Sequence, residues 1–154
     1  LALRFGLEPF AEPSTRAGRR YARPAAGAEV VGVALVRGDE TVVAATRRAR
    51  AMLCPVREIN FLSGPGRGVT LIKLQGVRRG AAAQGEEADR VLGFVVARGD
   101  RDVLTVETSR GGVQTIGTGK YEVTGRGGRG RELLQRGHFT RVVPPPPELP
   151  SLGE

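Results

Sequence analysis

The sequence predicts an all-β fold of propeller-like type, on three observations. Its apolar residues fall in short runs rich in valine and other β-branched types, parted by Gly-Asp and Gly-Gly turns. The succession of runs and turns occurs twice in the 154 residues. Between strands lie loops dense in glycine and arginine, the strongest being Thr124-Gly125-Arg126-Gly127-Gly128-Arg129-Gly130-Arg131.

In chain order, residues 1–10 alternate through Leu3, Phe5 and Leu7 and read as one short strand that ends at Glu12-Pro13. Arg16, Arg19, Arg20 and Arg23 follow with no acid between Glu12 and Glu29, and residues 20–23 read as a second short strand stopped by Pro24. Residues 30–36, Val-Val-Gly-Val-Ala-Leu-Val, are an almost continuous apolar run, which predicts a strand buried on both faces. Arg37-Gly38-Asp39 turns into a strand over 41–46; Arg47-Arg48-Ala49 turns back into one over 52–56. A looser glycine/arginine loop, Ser63-Gly64-Pro65-Gly66-Arg67-Gly68, precedes a strand over 69–74. Residues 76–88 are low in apolar bulk and predict a flexible loop.

The pattern then recurs. Residues 91–100 copy 30–39, residues 103–108 copy 41–46, and Arg110-Gly111-Gly112 turns into a strand over 113–116. Lys120 to Val123 copy residues 57–59, and Leu133 and Leu134 copy Leu71 and Ile72. Gly32 to Gly93 spans 61 residues and Gly68 to Gly130 spans 62. Without the 76–88 loop each unit holds about fifty residues and four strands, the size of one propeller blade. The predicted organisation is a partial unit over 1–27, two complete four-stranded units over 28–88 and 89–143, and a proline-rich disordered tail over 144–154.

There are 24 Lys and Arg against 16 Asp and Glu, a net charge of +8, and only Lys73 and Lys120 are lysines. A biased codon usage accounts for arginine over lysine but not for the surplus of positive charge, which points to a polyanion. Cys54 is alone and reads as a small buried apolar residue, so no disulfide or thiol metal cluster is expected. No apolar run reaches the length of a membrane span. His138 is the single histidine and has no nucleophile near it; Asp100 and Asp102 read as turn residues; the glycine loops lack a Gly-Lys-Ser/Thr phosphate motif. No cofactor and no metal are expected, and no enzymatic activity from this chain by itself.

The segments "EPSTRAGRRYAR", "GPGRGVTLIKL", "DRVLGFVVARGD" and "YEVTGRGGRGREL" resemble the C-terminal domain of the A subunit of bacterial type IIA topoisomerases, gyrase and topoisomerase IV. The likeness covers residues 3–143. It implies a β-pinwheel, a disc of blades in which each blade lends a strand to its neighbour and duplex DNA bends around a basic rim. It further implies a bacterial, cytoplasmic, nucleoid-associated protein whose partners are DNA, the rest of the A subunit and, through it, the B subunit. Gyrase carries a box of Gln, two basic residues, Gly-Gly, a basic residue and Gly. Arg126 to Gly130 fit it; Thr124 and Gly125 do not, and the box is expected in the first blade rather than the last. These departures lean toward a topoisomerase IV-like subunit, or toward a gyrase whose box precedes Leu1; a chain without an initial methionine is expected to be a piece of a longer one.

The expected DNA-binding residues are Arg16, Arg19, Arg20, Arg23, Arg47, Arg48, Arg50, Arg67, Lys73, Arg110, Lys120, Arg126, Arg129 and Arg131, all in loops and turns where a blade meets solvent. With aromatics at 5% of the chain, stacking on single strands is disfavoured and backbone contact with bent duplex is favoured. The competing expectation is a propeller-type interaction domain that binds an acidic protein.

Overall fold

The computed structural model describes residues 1–14, 16–76 and 87–146. Most of the predicted 76–88 loop and of the 144–154 tail therefore lies outside the described residues. Seven strands form two antiparallel sheets: β1 (Thr41–Thr46), β2 (Arg50–Pro55), β3 (Val91–Ala97), β4 (Leu104–Thr108), β5 (Val113–Ile116), β6 (Arg131–Glu132) and β7 (Phe139–Val143). Helical structure among the described residues consists of two three-residue 3-10 turns, Glu8–Phe10 and Val56–Glu58. The all-β expectation holds.

One sheet has the order β3-β1-β2-β6, the other β5-β4-β7. The first takes β1 and β2 from one sequence repeat and β3 and β6 from the next, so neighbouring repeats are interleaved rather than stacked as closed units. β4 and β7 reproduce the pairing of β1 and β3, down to an irregularity before the last residue of β1 and of β4, between Ala45 and Thr46 and between Glu107 and Thr108. The expectation of two four-stranded units is met by the first sheet only.

The β1–β2 hairpin sits between two apolar layers because its side chains alternate across the sheet. Val43, Ala45, Ala51 and Leu53 face Leu104, Val106, Ile116 and Phe139. Val42, Ala44, Met52 and Cys54 face Val56, Ile59, Leu71 and Ile72. Alanine recurs here because a strand covered on both faces leaves little room for bulk. Phe139, fully buried, contributes about 2–3 kcal/mol of apolar burial.

Two expected strands are corrected. Residues 30–36 join no ladder, and Val30, Val31, Val33 and Leu35 are 50%, 49%, 64% and 65% exposed. Apolar content alone does not make a strand; a hydrogen-bonded partner does, and none of the described residues supplies one. Residues 69–74 hold a single bridge, Val69 to Ala2, after which Leu71 and Ile72 turn into the core and the Lys73 N–H donates to the Gly128 carbonyl at 2.8 Å. Its partners lie across repeats, as expected, but the ladder is short because the chain crosses from one unit to another. Residues 1–10 and 20–23 likewise reduce to bridges at Ala2, Arg4 and Ala22.

Candidate nucleic-acid interface

Each glycine/arginine loop is clasped by the repeat before it. In the later loop, the Thr124 N–H donates to the Leu53 carbonyl (2.9 Å), the Gly127 N–H to Leu71 (2.7 Å), and the Gly128 carbonyl receives Lys73. In the earlier loop the Leu62 N–H donates to Arg4 (2.8 Å), and the Gly66 carbonyl receives Arg23 (2.9 Å). Gly68 and Gly130 close the two loops at φ of 76° and 70°. A Cβ on Gly130 would stand 2.5 Å from the Ala51 carbonyl oxygen, and one on Gly68 would run into that of Ala2. Only glycine meets both demands.

This clasp fixes where the cations stand. Lys73 lies beside Gly128, one residue before Arg129; Arg23 lies beside Gly66, one residue before Arg67. All four are exposed. The same pair of cations is thus built twice, from a crossing segment and the loop it holds. Around the later pair is an open depression of about 410 Å³ lined by Arg48, Lys73, Leu74, Gln75, Gly76 and Arg129. Such a surface can receive phosphate oxygens from two directions.

The other expected residues divide by what they touch. Arg16, Arg20 and Arg110 are exposed; Arg19, also exposed, donates to the Pro9 carbonyl and borders a second depression with Phe5, Phe10, Tyr21 and Phe61. Lys120 and Arg131 lie over the Tyr121 ring, at 5.3 and 5.8 Å from its centroid. Arg47 pairs with Glu87 at 2.7 Å, and Arg50 with Glu132 at 3.2 Å and with the Gly130 carbonyl at 3.1 Å. The Arg47 guanidinium holds the Glu87 carboxyl below the usual carboxylate range. Arg48 donates to Gln75, and its N–H to Asp89. The two acids expected to lie off the basic surface, Glu87 and Asp89, are therefore bound into the Arg47-Arg48 turn. The turn's arginines serve the fold at least as much as the surface.

Arg126, at the heart of the strongest loop, is anchored inward. Its Nε donates to the Glu58 carbonyl at 2.7 Å, its Nη1 to Thr70 at 3.3 Å, and its N–H to the Glu58 carboxylate at 3.0 Å. Arg4, not singled out from sequence, does the same from the other side, donating to Ile59 (2.7 Å) and Arg57 (3.4 Å). Two arginines from different repeats thus grip one 3-10 turn. The repeat offset that aligns the loops was the available signal for this, since Arg4 and Leu53 are counterparts.

No protein-family model and no curated protein matches the chain. Among solved structures, the C-terminal domain of DNA topoisomerase IV is similar at a TM-score of 0.54 and 24% sequence identity, over 71% of this chain and 32% of that one. The chain spans about a third of the length of that structure. At this identity the likeness is one of fold: the interleaved antiparallel sheets are an architecture shared with the topoisomerase IV C-terminal domain.

Proposed function

We propose that the chain is a duplex-DNA-binding and DNA-bending module of a type IIA topoisomerase A subunit, presenting DNA to a catalytic core carried elsewhere. The observation that carries the reading is the twofold construction of one exposed cation pair, Arg23 with Arg67 and Lys73 with Arg129, each fixed by the same backbone clasp. Repeated, evenly built cation pairs suit a backbone that repeats its charge, and they read no bases. The fold likeness to a topoisomerase IV domain supports the same reading. Within it, blades of pinwheel type line up their rims, DNA follows the rim, and the partners are the remaining A subunit, the B subunit and the bacterial chromosome.

The test compares a fluorescently labelled duplex of about 150 base pairs, one persistence length, with one of about 15. Salt-sensitive binding that favours the long duplex and draws its ends together supports the proposal. No binding to either duplex at low salt, with binding to polyglutamate instead, replaces it with the acidic-protein reading.

A further inference from the structure

The exposed apolar run at residues 30–36 has an internal copy whose surroundings are complete, and that copy says what belongs beside it. Gly93, the counterpart of Gly32, lies in β3, where Val43 pairs with Val95 and Ala44 with Phe94. Gly93 also bears on the next such strand: a Cβ there would stand 2.6 Å from Val142 of β7. Gly32 bears in the same manner on Phe94 of β3, with a Cβ 3.0 Å from the ring. Phe94 and Val142 are themselves counterparts, since Phe94 faces Ala44 in β1 and Val142 faces Val106 in β4. Residues 30–36 therefore stand to β3 as β3 stands to β7.

A second set of contacts fixes the other side. Ala2 bridges Val69 as Ala51 pairs with Arg131, and Leu62 donates to Arg4 as Thr124 donates to Leu53. Residues 1–6 therefore hold the place of β2. In the complete sheet, β1 lies between β3 and β2. Residues 30–36 and 1–6 are thus the two banks of one strand-wide lane. Val30, Val31, Val33 and Leu35 are half to two-thirds exposed along it, whereas their counterparts Val91, Leu92, Phe94 and Val96 are partly buried beside β1. An apolar edge with free backbone groups is a template for strand addition.

We infer that this lane receives one β-strand of the β1 type, contributed by a further unit of the same repeat. The occupant runs antiparallel to both banks. Its middle residues are β-branched or small and uncharged, as in Val42 to Ala45, because it is covered on both faces. The inference is independent of the nucleic-acid reading.

The test adds a synthetic peptide with the sequence of residues 39–49 to the full 154-residue chain and follows backbone amide exchange. Slowing by about tenfold or more at residues 30–36 and 2–5 is expected, with none from a peptide carrying Val43→Asp and Ala45→Asp. Unchanged exchange with the parent peptide overturns the inference. So does exchange already slow in a monomer without peptide, or slow exchange that tracks dimer formation in sedimentation, which assigns the lane to a second copy. A linked variant guards against weak peptide binding: residues 39–49 are repeated ahead of Leu1, and a higher Tm is expected than with the double-Asp repeat. Equal Tm values for those two variants overturn the inference as well.

Discussion

Arg126 donates from Nε to the Glu58 carbonyl at 2.7 Å, so the central arginine of the most basic loop fastens two repeats together. Arg129, three residues on, is exposed beside Lys73. Replacing Arg126 with alanine is expected to cost about 1 kcal/mol of stability, because its charge-assisted hydrogen bonds disappear. Arg129→Ala is expected to stay within about half a kcal/mol. Urea unfolding checks both; equal losses of stability would mean the loop is not anchored through Arg126.

The glycine that closes this loop gives a sharper contrast. Gly111 and Gly130 both have positive φ, but a Cβ at Gly111 meets nothing within 4 Å, whereas at Gly130 it meets the Ala51 carbonyl oxygen. Gly111→Ala is expected to cost about 1 kcal/mol from backbone strain alone. Gly130→Ala is expected to cost at least about 2 kcal/mol, because the main chain of β2 must move. Thermal unfolding of the two variants, compared directly, tests this.

Glu40 predicts an acid-sensitive turn. Its buried carboxylate accepts the N–H groups of Gly38 (2.8 Å) and Arg37 (2.7 Å). The Gly38 bond is the largest cause of a carboxyl held below its usual range, with burial opposing it. Because the folded value is lowered, the contribution is whole above the unfolded value of about 4.3 and fades as pH falls through the folded one. Urea midpoints measured from about pH 6 to about pH 3 are expected to fall less steeply for Glu40→Gln than for the parent. Parallel curves would contradict the assignment.

Cys54 is fully buried, and burial is the chief reason that its thiol is pushed up to about 11. It is expected to resist a thiol reagent at about pH 8 in the folded chain and to react on unfolding in urea. Labelling at the rate of a free thiol without denaturant would show that β2 opens far more readily than its packing implies.

The strands that were legible in the sequence are those whose partners lie close along the chain. β1 with β2 and β4 with β5 are hairpins, so composition and turn residues were enough. Residues 30–36 resemble β3 in every local respect, yet they differ in having no strand beside them, which is a non-local fact. Residues 69–74 keep little of their expected ladder for a similar reason, since they cross between units. The repeat offset correctly aligned the two loops and so anticipated the paired cations. It could not separate Arg126 from Arg129, because that depends on which guanidinium turns toward Glu58. Nor could it foresee that Glu87 closes on Arg47, forty residues away.

The central claim is that two cation pairs built by the same clasp hold duplex DNA by its phosphates. It is tested most directly by the salt dependence of binding to a long duplex, measured for the parent chain and for a variant with Arg23, Arg67, Lys73 and Arg129 all changed to alanine. The account predicts weaker binding irrespective of base sequence, with the slope of log affinity against log salt flattened by roughly 0.9 for each phosphate no longer neutralised. The same affinity and the same slope in the variant would contradict it.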